Sequence, residues 1–387
     1  MPCIWRTALP ALAFCAAALG GDTSLGSFVV TNDDLAPPFG NTATFYAVNP
    51  DGTLGGAASV ETGGNGIGGG FFAAHRVIVV PNGADACVYA SNAWDGDVAG
   101  IDAATHTVTG PFYGSANDAG NTNGMGLAAN AQYVYATFTA SSTIGTFSVQ
   151  AGCTLNFVGD VFAAGLAGGV VDGMAIHGGI MVVTYGDGSI ESFGISGGVP
   201  VSNGDQQYST GSSDDHLPNG VTITGDGHYA IFGDSSTRTA VEVSDISSGE
   251  LTPTVAYDLG PAWNSGNVRL SPDEKLLFVT NDSSGQVTAA FFNGATGKVY
   301  PGCTSGTLKG FYTKFAYAGG VGFQLATGAG GIVYVPEFGS NGKPFIGMVE
   351  FTQNGTSCTL TESANSPVSN PRQSAYLLSI AAYPAAQ

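Results

Sequence analysis

Basic residues are scarce in this chain. Lys and Arg together number 10 among 387 residues, against 29 Asp and Glu, so the formal net charge at pH 7 is −19. Nucleic acids and anionic membrane surfaces are bound by clustered Lys and Arg, and the composition argues against both partners. Charged residues of either sign make up only 10% of the chain, whereas an ordinary soluble domain has about 25%.

Long apolar runs are missing after the first 20 residues. The stretch Thr7–Leu19 is apolar but too short to span a bilayer as a helix, and the basic residue Arg6 precedes it. Ala18 and Gly20 supply small residues at the positions that a signal peptidase requires. We therefore predict a secretory signal over residues 1–20 and a secreted or periplasmic mature protein without a membrane span.

Cys-x-x-Cys pairs are absent as well, which argues against structural zinc. A bulky Phe14 stands directly before Cys15 and disrupts a lipoprotein signal, so we expect no lipid anchor at Cys15. Four cysteines remain in the mature chain, namely Cys87, Cys153, Cys303 and Cys358. An even number in an oxidising compartment predicts two disulfides, and the count alone leaves three pairings open.

Glycine and short apolar strands are abundant instead. The chain has 60 Gly and 43% hydrophobic residues, which favours a large core and many turns. One short strand, usually followed by a small polar pair, recurs seven times, at residues 28–32, 88–92, 134–137, 181–184, 230–234, 277–281 and 333–337. Its copies begin 46 to 60 residues apart. This period is typical of a propeller blade of four strands.

The pattern predicts an all-β fold, a seven-bladed β-propeller formed by one domain over residues 24–387. The first repeat lacks an inner strand, while the chain ends in a spare one, Tyr376–Pro384. We expect this strand to complete blade 1 and close the ring, which removes free sheet edges. The four cysteines then fall on one face of the ring. Adjacent blades would pair Cys87 with Cys153 and Cys303 with Cys358.

Two segments of the sixth repeat, residues 268–273 (VRLSPD) and 277–281 (LFVTN), resemble the repeat of the seven-bladed lactonase-like propellers, also called YVTN propellers. That superfamily includes the propeller-type 6-phosphogluconolactonases and the fungal carboxymuconate cyclases. The resemblance covers nearly the whole mature chain. It implies a ligand at the mouth of the central channel, but its motif specifies a blade and no particular reaction.

The resemblance also implies a site built from Arg, His and an acid. A carboxylate needs a forked donor and ring opening needs a base, so we expect Arg76 and Arg269 to hold a carboxylate and His216 to act as base. The predicted catalytic residues are His216 and Arg269. The predicted substrate-binding residues are His75, Arg76, Asp215, Asn219 and Asn267.

Structural roles remain open for the same residues. Arg269 could pair with a neighbouring carboxylate, His75 and Arg76 could lie at the rim without a ligand, and His216 could lie in a solvated loop. We expect His177, alone on its strand, to be a core residue. No metal site and no cofactor is predicted, although the acidic loops at residues 95–97 and 281–285 leave calcium as a weak alternative.

Two functions are compatible with these features. The first is an exported lactonase-like hydrolase or cycloisomerase that opens or forms a lactone of a small sugar acid or aromatic-derived acid. The second is a non-enzymatic extracellular propeller that binds a protein or glycan partner. Convergence of Arg76, Arg269 and His216 in one pocket would favour the enzyme.

Overall fold

The computed structural model describes residues 25–69, 75–83, 85–115, 118–120, 124–209, 217–235, 239–260, 265–310, 326–328, 331–338, 343–372 and 379–383. The predicted signal over residues 1–20 and the candidate residues Asp215 and His216 lie outside these ranges. Within them, no helix has the length and hydropathy needed to cross a membrane.

Seven antiparallel sheets form the blades of the predicted propeller. In chain order the strands of the first three blades are β1 (Phe28–Asn32), β2 (Thr42–Val48) and β3 (Leu54–Glu61); β4 (Val77–Asn82), β5 (Asp85–Asn92), β6 (Asp97–Asp102) and β7 (Val108–Tyr113); and β8 (Leu127–Ala129), β9 (Tyr133–Phe138), β10 (Thr143–Val149) and β11 (Leu155–Phe162). A short 3₁₀ turn, Ala151–Cys153, precedes β11.

The strands of blades 4 to 7 follow the same plan. They are β12 (Val171–His177), β13 (Ile180–Tyr185), β14 (Ser189–Ser196), β15 (Val199–Ser202) and β16 (Gln207–Tyr208); β17 (Pro218–Ile223), β18 (Tyr229–Ser235), β19 (Thr239–Asp245) and β20 (Val255–Gly260); β21 (Ser265–Leu270), β22 (Leu276–Asn281), β23 (Gln286–Asn293) and β24 (Lys298–Thr304); and β25 (Ala326–Gly328), β26 (Ile332–Phe338), β27 (Pro344–Asn354), β28 (Ser357–Glu362) and β29 (Val368–Ser369). The two-residue strands β16 and β29 pair with the third strands of their blades.

All seven copies of the recurring apolar strand are the second strand of their blade, which confirms the repeat. These strands are buried on both faces because each blade packs between two others. The inner strands run from one face of the ring, here called the mouth face, to the opposite face. Loops that join second to third strands lie on the mouth face.

The last strand closes the ring, as predicted. Strand β30 (Ser379–Tyr383) pairs antiparallel with β1, from Phe28 opposite Tyr383 to Asn32 opposite Ser379. Polar contacts extend this closure to the neighbouring blade 2. The hydroxyl of Ser379 accepts hydrogen bonds from the backbone N–H groups of Arg76 and Val77, at 2.8 and 3.1 Å. Blade 1 is thereby tied to blade 2 by the last strand of the chain.

Both predicted disulfides are present with the predicted pairing. Cys87 bonds to Cys153 between blades 2 and 3, with a Cα–Cα distance of 5.4 Å, and Cys303 bonds to Cys358 between blades 6 and 7, at 5.7 Å. The first lies inside the apolar cluster that joins its two blades. Each bond crosslinks two neighbouring blades.

The small polar residues that end the second strands hold the inner strands in place. The Oγ1 atoms of Thr137 and Thr280 accept hydrogen bonds from the backbone N–H groups of Gly126 and Asn267, at 2.7 and 2.9 Å. The side chain of Asn32 reaches the next blade, where its amide donates to the carbonyl of Arg76 at 2.9 Å. These bonds satisfy backbone groups at the ends of the inner strands, where the ladder hydrogen bonds stop.

Carboxylates on the mouth face hold the mouth loops. Asp187 accepts hydrogen bonds from the backbone N–H groups of Ala167 and Gly169, at 2.7 and 3.1 Å. Glu337, 2% exposed, lies between Gly310 and Gly347, where an added Cβ would collide with its carboxylate.

Burial gives several of these carboxylates a raised pKa. Burial and the nearby Glu362 raise the pKa of Glu337 to about 8, and burial raises that of Asp97 to about 6. The pKa values of Asp33 and Asp282 are raised for the same reason. The mouth face therefore takes up protons in the folded state at a pH where an unfolded chain is ionised.

We predict that Thr280→Val lowers the free energy of unfolding by about 1–3 kcal/mol, because it leaves the buried N–H of Asn267 without its acceptor. The matched control is Thr352→Val, which removes an exposed hydroxyl bonded only to Thr359. Denaturant unfolding at pH 7 measures both variants. Equal effects of the two substitutions would contradict a special role of Thr280.

We also predict that the protein is more stable at pH 5 than at pH 8. A carboxyl group with a folded-state pKa above its unfolded value of 4.5 stabilises the fold fully below that value, and this stabilisation is lost as the pH rises through the folded-state pKa. Melting temperatures across this range should fall with pH. Glu337→Gln should flatten the part of the decline near pH 8, whereas Glu250→Gln, at an exposed turn, should leave it unchanged.

Candidate functional site

A cavity of about 700 Å³ occupies the central channel. Six inner strands of the described residues line it, namely β4, β8, β12, β17, β21 and β30. Most of the lining side chains are aliphatic, and the ionisable ones are His75, His177, Arg269, Asp273 and Glu274. A concavity of this size, with aliphatic side chains and a few polar groups in its wall, suits one small molecule.

Arg269 belongs to a ring of residues at one level of the channel. In six blades, the inner-strand residue that pairs with the second residue of the recurring strand lies at the same height along the channel axis. These residues are Ile78, Ala128, Ala175, Thr222, Arg269 and Ala382. All six line the cavity. Arg269 is the one charged member of this set. Four of the other five members are Ala or Thr, and the fifth is Ile78.

The guanidinium of Arg269 stays charged in this setting. The side chain is half-buried, and burial lowers the pKa of Arg269 from its ordinary value. Arginine nevertheless remains protonated throughout the physiological range. A planar forked donor in a poorly solvated channel can bind a carboxylate through two parallel hydrogen bonds.

Two acids line the same cavity beyond the end of β21, and both are engaged in the local turns. Asp273 accepts hydrogen bonds from the hydroxyl of Ser271 and from the ammonium of Lys275, each at 2.8 Å. Glu274 accepts one from the backbone N–H of Gly225 in the next blade, at 2.5 Å. These contacts connect the turns of blades 5 and 6 at the face opposite the mouth.

Arg76 does not line the cavity with Arg269. Its side chain is 1% exposed, and its Nη1 atom lies 2.5 Å from Oδ2 of Asp34. Burial raises the pKa of Asp34, and the Arg76 charge opposes that rise. Asp34 also accepts hydrogen bonds from the backbone of Ile67 and Gly69. Arg76 therefore joins blades 1 and 2 through a buried ion pair.

The two candidate asparagines also lie at the interfaces between neighbouring blades, here called seams. Asn219 and Asn267 are 4% and 2% exposed, and neither is among the cavity-lining residues. The carbonyl of Asn219 accepts a hydrogen bond from Thr184 of blade 4 at 2.6 Å. Of the predicted site residues, the structure thus brings His75 and Arg269 to one cavity, and places Arg76, Asn219 and Asn267 in the seams.

Sequence analysis missed the position of His177. This residue was expected in the core, but it is half-buried and lines the cavity. The sequence did contain a pattern that marks the channel wall. Equivalent channel-facing positions of four successive inner strands, Ala128, Ala175, Thr222 and Arg269, are spaced by a constant 47 residues. His177 stands two residues after Ala175, on the same side of an alternating strand.

The acidic loop at residues 95–97 serves as a local hydrogen-bond acceptor. Oδ2 of Asp95 accepts from the backbone and side-chain N–H groups of Asn65, at 2.7 and 2.9 Å, and Asp97 accepts from the side chain of Asn92 at 2.7 Å. In the part of the chain that the structure describes, no cluster of three or more His, Cys, Asp or Glu is suited to hold a metal ion.

Neither a protein-family model nor a curated protein sequence matches this chain. Solved structures do match. A candidate 6-phosphogluconolactonase from Bacteroides fragilis is 14% identical with a TM-score of 0.67, and the match covers 93% of this chain and 99% of that protein. One from Bacteroides uniformis is also 14% identical, with a TM-score of 0.66 and coverage of 92% and 100%.

A protein from Lactobacillus plantarum is similar to the same extent. It is 13% identical with a TM-score of 0.69, and the match covers 92% of this chain and 99% of that protein. Identities this low relate folds and do not transfer a reaction. The chain has the fold of the lactonase-like seven-bladed propellers.

Proposed function

We propose that this chain is an exported lactonase-like enzyme that binds a small carboxylic acid or its lactone in the central channel and opens or forms the lactone ring. The observation that carries the proposal is the position of Arg269 in a ring of uncharged residues that line a cavity of about 700 Å³. Two interblade disulfides support export, because such bonds persist in oxidising compartments.

The charges of the channel favour a substrate with a single carboxylate. Arg269 faces a cavity that also contains two carboxylates, whereas Arg76 is paired with Asp34. A phosphorylated sugar acid carries more negative charge than one guanidinium can balance, and the protein as a whole repels anions at a net charge of −19. Small aromatic-derived or sugar-derived lactones with at most one carboxylate fit better.

The test is a thermal-shift and calorimetric screen of the oxidised mature protein against muconolactone, gluconolactone and the corresponding open acids. A ligand at 100 times its dissociation constant should stabilise the fold by about 2.7 kcal/mol. Arg269→Gln should abolish the shift for the carboxylate-bearing ligands. The matched control is Lys298→Gln, which makes the same charge change at an exposed side chain outside the cavity.

Two results would contradict the proposal. One is the absence of a shift with every lactone and acid of the panel. The other is a shift with a carboxylate-bearing ligand that survives Arg269→Gln, which would place that ligand elsewhere on the protein.

A second candidate function, binding of a basic extracellular protein, is favoured by one surface. No Lys or Arg occurs between Arg76 and Arg238, so blades 2 to 4 carry no Lys or Arg after Arg76, which is buried. On the mouth side of blades 2 and 3, Trp94, Tyr113 and Phe162 are 37%, 51% and 70% exposed. Exposed aromatic rings in an acidic surface suit lysine and arginine side chains.

Tryptophan fluorescence can test this second candidate, because Trp94 and Trp263 are the tryptophans that follow the predicted signal. A lysine-rich peptide should change the emission of Trp94, and the change should weaken steeply as salt rises. Trp94→Phe should remove it. An equal response in Trp94→Phe, or binding weakened equally by Trp94→Ala and by Tyr300→Ala on the distant blade 6, would argue against this surface.

A further inference from the structure

We infer that Asn354 is an acceptor of N-linked glycan, an assignment that rests on the export named in the proposed function and not on the reaction in the channel. The chain contains two Asn-x-Ser/Thr sequons, at residues 281–283 (NDS) and 354–356 (NGT). Sequons of this kind accept N-linked glycans in proteins that are secreted through the endoplasmic reticulum. The fold treats the two sequons in opposite ways.

The sequon at residues 281–283 is closed by the fold. Asn281 is the last residue of β22 and is 0% exposed. Its side-chain amide donates a hydrogen bond to Oγ1 of Thr288 in the next strand at 2.9 Å. An oligosaccharide on that nitrogen has no space among closely packed strands. A chain that is modified at Asn281 therefore cannot assemble blade 6.

The sequon at residues 354–356 lies at the tip of a hairpin. Strand β27 ends at Asn354, which pairs with Ser357 at the start of β28, and these residues and the turn between them are exposed. Gly355 has φ of +62°, which glycine adopts at the first position of a type II′ hairpin turn. Within the described residues, no hydrogen bond involves the side chain of Asn354 or Thr356. The amide and the hydroxyl that define the sequon are therefore both open to solvent.

This hairpin extends beyond the rest of blade 7 and is held by a crosslink. Strand β26 pairs with β27 only as far as Ile332, which lies opposite Glu350. The end of β27 after that residue pairs with β28 alone. Cys358 lies opposite Gln353 near the tip and is bonded to Cys303 of blade 6. A projecting turn that is tied to the neighbouring blade thus presents the acceptor.

The position of the hairpin keeps a glycan away from the mouth. Third strands begin at the loops on the mouth face, so the far end of β27 lies at the opposite face of the ring. A glycan on Asn354 therefore leaves the entrance of the channel uncovered. It also leaves uncovered the exposed aromatic residues on the mouth side of blades 2 and 3.

The step that we assign to Asn354 is a group transfer from an oligosaccharide carried on a lipid diphosphate. The Nδ2 atom of Asn354 attacks C1 of the first sugar, and the bond between C1 and the phosphate oxygen breaks. The amide nitrogen gives up one proton, and the lipid diphosphate departs as the leaving group. One N–H bond and one C–O bond are thus exchanged for an N–C bond and a protonated diphosphate, without any oxidation or reduction.

The test expresses the full chain in a eukaryotic secretory host and treats the protein from the medium with peptide N-glycosidase. We expect one glycan per chain, and the enzyme should increase electrophoretic mobility and convert Asn354 to Asp, as peptide mass spectrometry can show. Asn354→Gln and Thr356→Ala should lose the glycan, whereas Thr356→Ser, which keeps a hydroxyl, should retain it. The matched control is Ser283→Ala, which removes the hydroxyl of the other sequon and should leave the glycan in place.

A melting measurement guards against misfolding. Asn354→Gln should melt at the same temperature as enzymatically deglycosylated wild type, because the fold makes no hydrogen bond to this side chain. Secreted wild type without a glycan would overturn the assignment, and so would a glycan that persists in Asn354→Gln but is lost in Ser283→Ala. Retention of the wild-type chain inside the cells would instead overturn the export on which the assignment rests.

Discussion

The hydrogen bonds from the ends of the second strands to the inner strands are the contacts on which this propeller depends. Inner strands pair with their own blade on one edge only, so the backbone groups at their mouth ends need partners from elsewhere. Thr137 and Thr280 supply acceptors within their blades, and Asn32 supplies donors across a seam. These bonds fix the inner strands at matching heights along the channel axis, so that equivalent residues of different blades, such as Arg269 and Ala175, form a ring. The arrangement of the channel wall therefore depends on these side-chain hydrogen bonds within and between blades.

Charge is distributed unevenly over this scaffold. Carboxylates accept backbone hydrogen bonds at the mouth, and burial raises the pKa of several of them. Arg76 compensates Asp34 inside a seam, so it adds no positive field to the channel. Arg269 is set apart because the other residues of its ring are uncharged. Arg269 is thus a cationic side chain inside the channel of a protein whose net charge is −19.

The fold could be predicted in detail, and the site only in part. The period of the repeat, the turn residues and the spare C-terminal strand were sufficient to predict seven blades, the closure of the ring and both disulfides. These features follow from the alternation of apolar and polar residues within strands and from the order of the strands in the chain. The position of Arg269 on an inner strand was also predictable. Arg76 was not, since its ion pair with Asp34 joins residues of two blades that only the packed ring brings together. His177 was misplaced because an isolated histidine on an apolar strand carries no local sign of whether it faces the core or the channel.

The sequence by itself determined the architecture, because blade formation needs only periodic apolar strands and turns that nearest neighbours in the chain can satisfy. It also determined the acidic character of the protein, which is a property of composition. The tertiary structure decided which polar residues line the channel and which join blades. That choice depends on the relative heights of inner strands from different blades and on contacts across seams, and neither is expressed by any short stretch of sequence.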